Sequence, residues 1–308
     1  MTDQHLSLFK FFEKFPNEEA ARVYFENKRW GETATCGHCG SAEVTECKNH
    51  KPMPYRCKSC RKHFSVRTGT VLAESRLPLQ KWLMAMYMMT TARKGISSVQ
   101  MAKELGVTQK TAWFLAQRIR ETWMGNDGNM DNDSNSTVEV DETFIGGKEK
   151  NKHNNKKLKA GRGAVGKTPV IGAMSRTGSV VATPIESTKA KTLQGFISAN
   201  VQAGAKVYTD GFTGYTGLKN YKHETVNHSG GEYVRGDVHT NSIESFWALL
   251  KRGHYGIYHY MSTKHLHRYV TEFAYRHNTR NFTTMEFIDT TISKAANKRL
   301  TYAELISA

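Results

Sequence analysis

Nowhere does the chain stay apolar for more than a few residues. The longest such run, 82–89, holds eight residues, against the ~20 that a helix needs to cross a bilayer. No membrane partner is expected. The first residues include an acidic side chain, Asp3, and lack the apolar core of a signal peptide. Cysteine is scarce too, with five in 308 residues. Four of them sit in two tight pairs, which disfavours a disulfide framework and favours a metal in a reducing compartment. The cytoplasm is the expected location. Acidic residues are also in deficit: 28 Asp and Glu face 44 Lys and Arg, for a net charge of +16. That surplus argues against a small-molecule substrate and for a polyanionic partner, because each cation placed near a phosphate backbone releases a condensed counterion.

At this length two or three small units are expected. Residues 1–30 form an N-terminal helical segment, broken into two short helices at Pro16 and Asn17. Residues 31–75 are rich in Cys, Gly and Lys, with short β-prone pieces. Helical periodicity returns over 76–124. The polar stretch 125–136 (GNDGNMDNDSNS) has too little to bury and reads as a linker. An α/β domain follows over 137–285, with strands expected at 137–145, 169–175, 179–185, 206–209 and 223–227. Gly178 stands where a hairpin should turn, and the basic, aperiodic run 148–167 reads as a loop. Helices are expected at 190–201, 241–252 and 263–279, and a helical tail over 286–308.

Cys36 and Cys39 form one C-x2-C pair, Cys57 and Cys60 another, seventeen residues apart. Each tight turn aims two thiolates at one point, and together they complete a tetrahedral shell for Zn²⁺. So polar a segment cannot build a core alone, so the zinc is expected to be structural. Four cysteines leave no vacancy for His38 or His63, and Cys47 is a spare thiol.

Residues 95–121 (GISSVQMAKELGVTQKTAWFLAQRIRE) read as two helices around a turn. Ser97 or Ser98 caps the first, Gly106 supplies the left-handed turn, and Thr108 caps the second. The second helix is expected to expose Gln109, Lys110 and Thr111 at its start and Gln117, Arg118 and Arg120 further along. Polar residues at that end are what reach base edges in a major groove. Double-stranded DNA is therefore the expected partner.

In the strand 137–145, Thr137, Glu139, Asp141 and Thr143 share one face, while Val138 and Val140 point the other way. A carboxylate among buried valines is costly unless it meets a cation. Asp210 ends a second strand, and Glu244 lies near the start of a helix 34 residues later. Carboxylates from two strands and one helix can hold a pair of Mg²⁺ ions, which suit in-line attack on a phosphodiester. Lys251, two helical turns beyond Glu244, and Asn241, three residues before it, fall on nearly the same face. Lys251 can hold a phosphate there, and Asn241 can orient a ligand or nucleophile.

The runs 239–253 (HTNSIESFWALLKRG), 256–259 (GIYH) and 264–269 (KHLHRY), with 140–147 (VDETFIGG) and 207–211 (VYTDG), resemble the signature of ISXO-type insertion-sequence transposases. The zinc ribbon of that group matches as well, so the resemblance spans roughly residues 15–285. It implies an α/β ribonuclease-H-like mixed-sheet catalytic domain, preceded by a small zinc ribbon and an all-α helix-turn-helix region. It further implies Asp141 and Asp210 as Mg²⁺ (or Mn²⁺) ligands, Glu244 at the third acidic position and Lys251 as basic helper. Members of the group vary at the third position, so Asn241 competes with Glu244. The expected activity is metal-dependent cleavage at the terminal inverted repeats and transfer of the ends to target DNA, by a homo-oligomer assembled on DNA. Two other readings use the same residues: a DNA-binding regulator with an inactive nuclease-like domain, and a nuclease or resolvase that cuts without joining.

Overall fold

The computed structural model describes residues 6–47, 49–125, 136–147, 149–158, 164–227 and 230–307. The expected linker lies outside them from 126 to 135, as do parts of the expected loop at 148–167. Two units emerge: Met1–Met124 together with Asn281–Ala308, and Gly125–Arg280.

In the first unit, α1 (Leu8–Lys14) and α2 (Glu18–Trp30) are separated at Pro16, and Asn17 caps α2 by accepting the Ala20 N–H. A small antiparallel sheet follows, in the order β1 (Val44–Glu46), β2 (Tyr55–Cys57), β3 (His63–Phe64). Helix α3 (Leu79–Thr91) is apolar nearly all round and buries Trp82, Leu83, Met86 and Met89, as befits a helix surrounded by others. Its N-cap residue, Pro78, makes no side-chain bond, and Glu18 of α2 accepts the Leu79 and Gln80 N–H groups instead, at 2.8 and 3.0 Å.

Helix α4 (Ser98–Leu105) is capped by Ser97 and ends at Gly106 in the left-handed conformation, φ 59°. Thr108 then caps α5 (Gln109–Trp123) through the Thr111 N–H. The caps and the turn fall where the sequence puts them. The unit is completed from the far end of the chain by α9 (Thr284–Ser293) and α10 (Tyr302–Ile306). Trp123 donates to the Thr291 hydroxyl at 3.1 Å and packs edge-on against Phe287, while Val71 N–H reaches the Ala295 carbonyl at 3.2 Å.

The second unit is a mixed five-stranded sheet flanked by helices. Its strands are β4 (Thr137–Ile145), β5 (Thr168–Ser175), β6 (Val180–Pro184), β7 (Lys206–Asp210) and β8 (Lys222–Val226), in the order β6-β5-β4-β7-β8. The pairs β6–β5 and β5–β4 are antiparallel, whereas β4–β7 and β7–β8 are parallel. The crossover from β6 to β7 is α6 (Ala190–Asn200).

Alternation along the strands gives each face its own core. Val138, Val140, Ile171, Ala173 and Val181 pack on Leu193, Phe196 and Ile197 of α6. Ile145, Val170, Met174, Val180 and Ala182 pack instead on α7 (Asn241–Gly253) and α8 (Thr263–Asn278). Helix α7 offers that face the stripe Ile243, Phe246, Trp247 and Leu250, then winds into one π-helical turn, His254–Tyr258. Among the described residues no helix is long and apolar enough to cross a membrane.

Candidate functional site

Asp141 lies mid-β4 on the face turned toward α7. Its cross-strand partner on β5 is Gly172, and the missing side chain there matters. A Cβ on Gly172 would stand 2.7 Å from the Trp247 ring, so only glycine leaves room for the indole. From that position Trp247 Nε1–H donates to Asp141 Oδ2 at 3.1 Å. Gly172→Ala is expected to displace the ring and cost about 1–3 kcal/mol by overpacking. Urea denaturation measures it, and an unchanged midpoint would mean that the indole has other room.

Asp210 closes β7, where Oδ1 accepts the Phe212 N–H at 3.0 Å. Glu244 sits exposed in the first turn of α7, and its Oε1 accepts the Thr240 hydroxyl at 2.9 Å. Burial first, then the charges of Glu142, Asp210 and Glu244, push the Asp141 carboxyl up from 3.8 to about 7, with a backbone hydrogen bond opposing them. The three expected carboxylates therefore share one electrostatic neighbourhood. Asn241 and Glu244 are exposed and Lys251 half-buried, off the buried stripe of α7. The donors are carboxylate oxygens, which suit hard divalent cations. A group that resists its own negative charge is also one that a cation relieves.

Sequence reasoning missed several members of this neighbourhood. Glu142 points to the other face of β4, where the buried Tyr215 hydroxyl donates to its Oε2 at 2.6 Å. Burial and Asp210 raise its pKa against that bond. The β4–β7 ladder ends at Glu139 and Tyr208, so Asp210 lies beyond it, and its charge raises carboxyls on both faces of β4. The doublet Asp141-Glu142 was the available signal; Tyr215 and Trp247 gave none.

The four cysteines converge. All four Sγ atoms lie within 4.8 Å of one another, with Cys36–Cys60 at 3.7 Å and Cys39–Cys57 at 3.6 Å. A tetrahedron with Zn–S bonds of ~2.3 Å has edges of ~3.8 Å, so the thiols fit Zn²⁺. The His38 and Cys60 N–H groups point at Cys36 and Cys57 Sγ, both at 3.4 Å. Among the described residues, no carboxylate trio is drawn together as tightly as these thiols.

The expected DNA-facing residues divide. Gln109 and Lys110 are exposed at the start of α5 and Thr111 is half-buried. Gln109 donates to the Ser98 hydroxyl at 2.7 Å, and Lys110 stands over the Tyr302 ring at 4.4 Å. Arg118 is corrected by the structure. It is 5% exposed, donates to the Ala73 carbonyl at 2.6 Å and stacks over Trp82 and Phe114. Gln117 and Arg120 are buried as well. These three brace the inside of the unit.

Residues 134–278 match the family described as ISXO2-like transposase domain. Residues 16–63 match that described as transposase zinc-ribbon domain. Over 251 residues the chain is 30% identical to a protein of Halobacterium salinarum described as an uncharacterized protein in transposable element ISH50, an alignment covering 77% of this chain and 83% of that one. The first match contains every carboxylate of the site, and the second contains all four clustered cysteines.

Proposed function

Because the chain belongs to the ISXO2-like transposase family, we propose that it cleaves DNA at the terminal inverted repeats of an insertion sequence and joins the ends to target DNA. The observation that carries this reading is the Asp141 carboxyl, held by Trp247 on a central strand and pushed up to about 7 by burial first and then by the charges of Glu142, Asp210 and Glu244.

The second unit is read as a ribonuclease-H-like catalytic domain beginning at 137. Three antiparallel strands continued by two parallel ones, with helices on both faces, support that reading. The zinc ribbon spans 31–75, and α4–α5 serve as a helix-turn-helix within 76–124, with Gln109, Lys110 and Thr111 as the DNA-facing residues. The protein works in the cytoplasm, on the nucleoid when bound.

Asp141, Asp210 and Glu244 would hold Mg²⁺ or Mn²⁺, with Asn241 the competing third residue. Such ions, when bound, supply charge neutralisation for in-line displacement at phosphorus. Trp247 fixes one oxygen of Asp141. Lys251 neutralises a phosphate beside the carboxylates, and Asn241 orients the nucleophile, which is water for cleavage and the freed 3′-hydroxyl for joining. Both ends must be held together for joining, so a homo-oligomer assembles on the DNA.

The test incubates the protein with Mg²⁺, repeat-ended duplex and a plasmid target. Joined products are expected. Nicked ends without joining would make it a nuclease, and binding without nicking would make it a regulator. Lys251→Ala is expected to slow cleavage by about 10²-fold, on the scale of one lost charge-stabilising group, while leaving end binding intact. A parental cleavage rate would remove Lys251 from the site.

A further inference from the structure

Glu139 precedes Asp141 by two residues on β4 and has no solvent exposure at all. A carboxylate so placed needs compensation, and it comes from the start of α7 and from Arg176 just after β5. Oε2 accepts the backbone N–H groups of Ser242 at 2.8 Å and Ile243 at 3.1 Å. Oε1 accepts the Ser242 hydroxyl at 2.9 Å and pairs with Arg176 Nε at 2.8 Å. His239 Nδ1 is 3.3 Å from that same oxygen. Arg176 reaches on to the carbonyls of Asp237 at 2.9 Å and His239 at 3.4 Å, the segment that leads into α7.

The N-cap residue of α7, Thr240, makes no capping bond, and its hydroxyl donates to Glu244. A carboxylate from the sheet therefore satisfies the orphan amides of the helix, where the positive end of the helix dipole favours it. The two amides it holds belong to the residues immediately before Glu244.

We propose that Glu139 is a positioning residue: it clamps the start of α7 to β4 and so sets Glu244 and Asn241 opposite Asp141. The inference rests on reading Asp141, Asp210 and Glu244 as metal ligands. It assigns two acidic residues of one strand face to different tasks, Asp141 to the ion and Glu139 to the helix that brings the third ligand.

The test is Mn²⁺ titration of the full-length, zinc-loaded protein, followed by the electron paramagnetic resonance of free Mn²⁺. Glu139→Gln is expected to weaken Mn²⁺ binding by ~10- to 100-fold, as loss of a group that orients a metal ligand does. In a Glu244→Ala background the same change is expected to cost less than about twofold, since the residue it acts through is gone. Arg176→Gln, which loosens the clamp without changing a residue of β4, should reproduce the loss and stands in should Glu139→Gln fail to fold. Undiminished Mn²⁺ affinity in folded Glu139→Gln, or a full additional loss in the Glu244→Ala background, overturns the proposal. Asp141→Asn separates it from the reading beneath. Parental Mn²⁺ binding in Asp141→Asn sinks the metal-site reading and the clamp with it. Loss in Asp141→Asn with none in Glu139→Gln sinks the clamp alone.

Discussion

Asp141→Asn and Asp210→Asn should each abolish strand cleavage, with rates falling about 10³-fold or more, while binding to the repeat ends survives. The magnitude follows from the several kcal/mol that an ion contributes at a reacting phosphate. Binding survives because the helices read as the DNA-recognition pair belong to the other unit. The Asp141 variant carries a second signature without DNA. In the folded chain its carboxyl sits at about 7 instead of 3.8. An acid whose folded pKa is raised favours the folded state only in its protonated form. The parent therefore loses stability as pH climbs from ~4 to ~7 and stays at the lower level above that.

Each pKa unit corresponds to about 1.4 kcal/mol, so about 4 kcal/mol is the ceiling and about 1–2 kcal/mol a reasonable yield after the neighbours relax. Metal-free Asp141→Asn should accordingly melt above the parent at pH 8, with the gap closing toward pH 4. Added Mg²⁺ should raise the parent and leave the variant unmoved. A variant that melts no higher at pH 8, or still cuts DNA, removes Asp141 from the site.

Cys57→Ser should strip the zinc and unfold the segment around it. The local core consists of Cys36, Cys57 and Phe64, with Trp30, Val44, Tyr55 and Cys60 against it. That is too little apolar surface to hold three short strands, whereas a structural zinc supplies on the order of 10 kcal/mol. Metal analysis should find about one zinc per parent chain and little in the variant, and limited proteolysis should open residues 31–75 of the variant alone. Stoichiometric zinc in folded Cys57→Ser would mean that some other residue completes the shell.

Much of this was legible in the residues because the signals are local. Ser97, Gly106 and Thr108 state where two helices begin and end within a dozen positions. The cysteine pairs announce their own turns, and strand alternation puts Glu139 and Asp141 on one face before any fold is known. What escaped is non-local. Arg118 looks like a DNA contact on α5, yet its guanidinium stacks over Trp82 and satisfies a backbone carbonyl 45 residues away. Periodicity cannot separate such a side chain from an exposed one when a helix is packed on several sides. Glu139 reads as another member of the acidic face, and only its partners 103 and 104 residues away reveal its different surroundings. Nor does any pattern within 281–308 say that those residues return to the first unit.

That return gives the chain a particular order of assembly. The sheet-bearing unit is an insertion within the helical one, whose last pieces, Thr291 against Trp123 and Ala295 beside Val71, are translated only after the sheet. A ribosome therefore releases a complete sheet before the helical unit can close around Trp123. A reading frame interrupted after Arg280 would keep Asp141, Asp210, Glu244 and every cysteine, and would still leave the helical unit without its keystone.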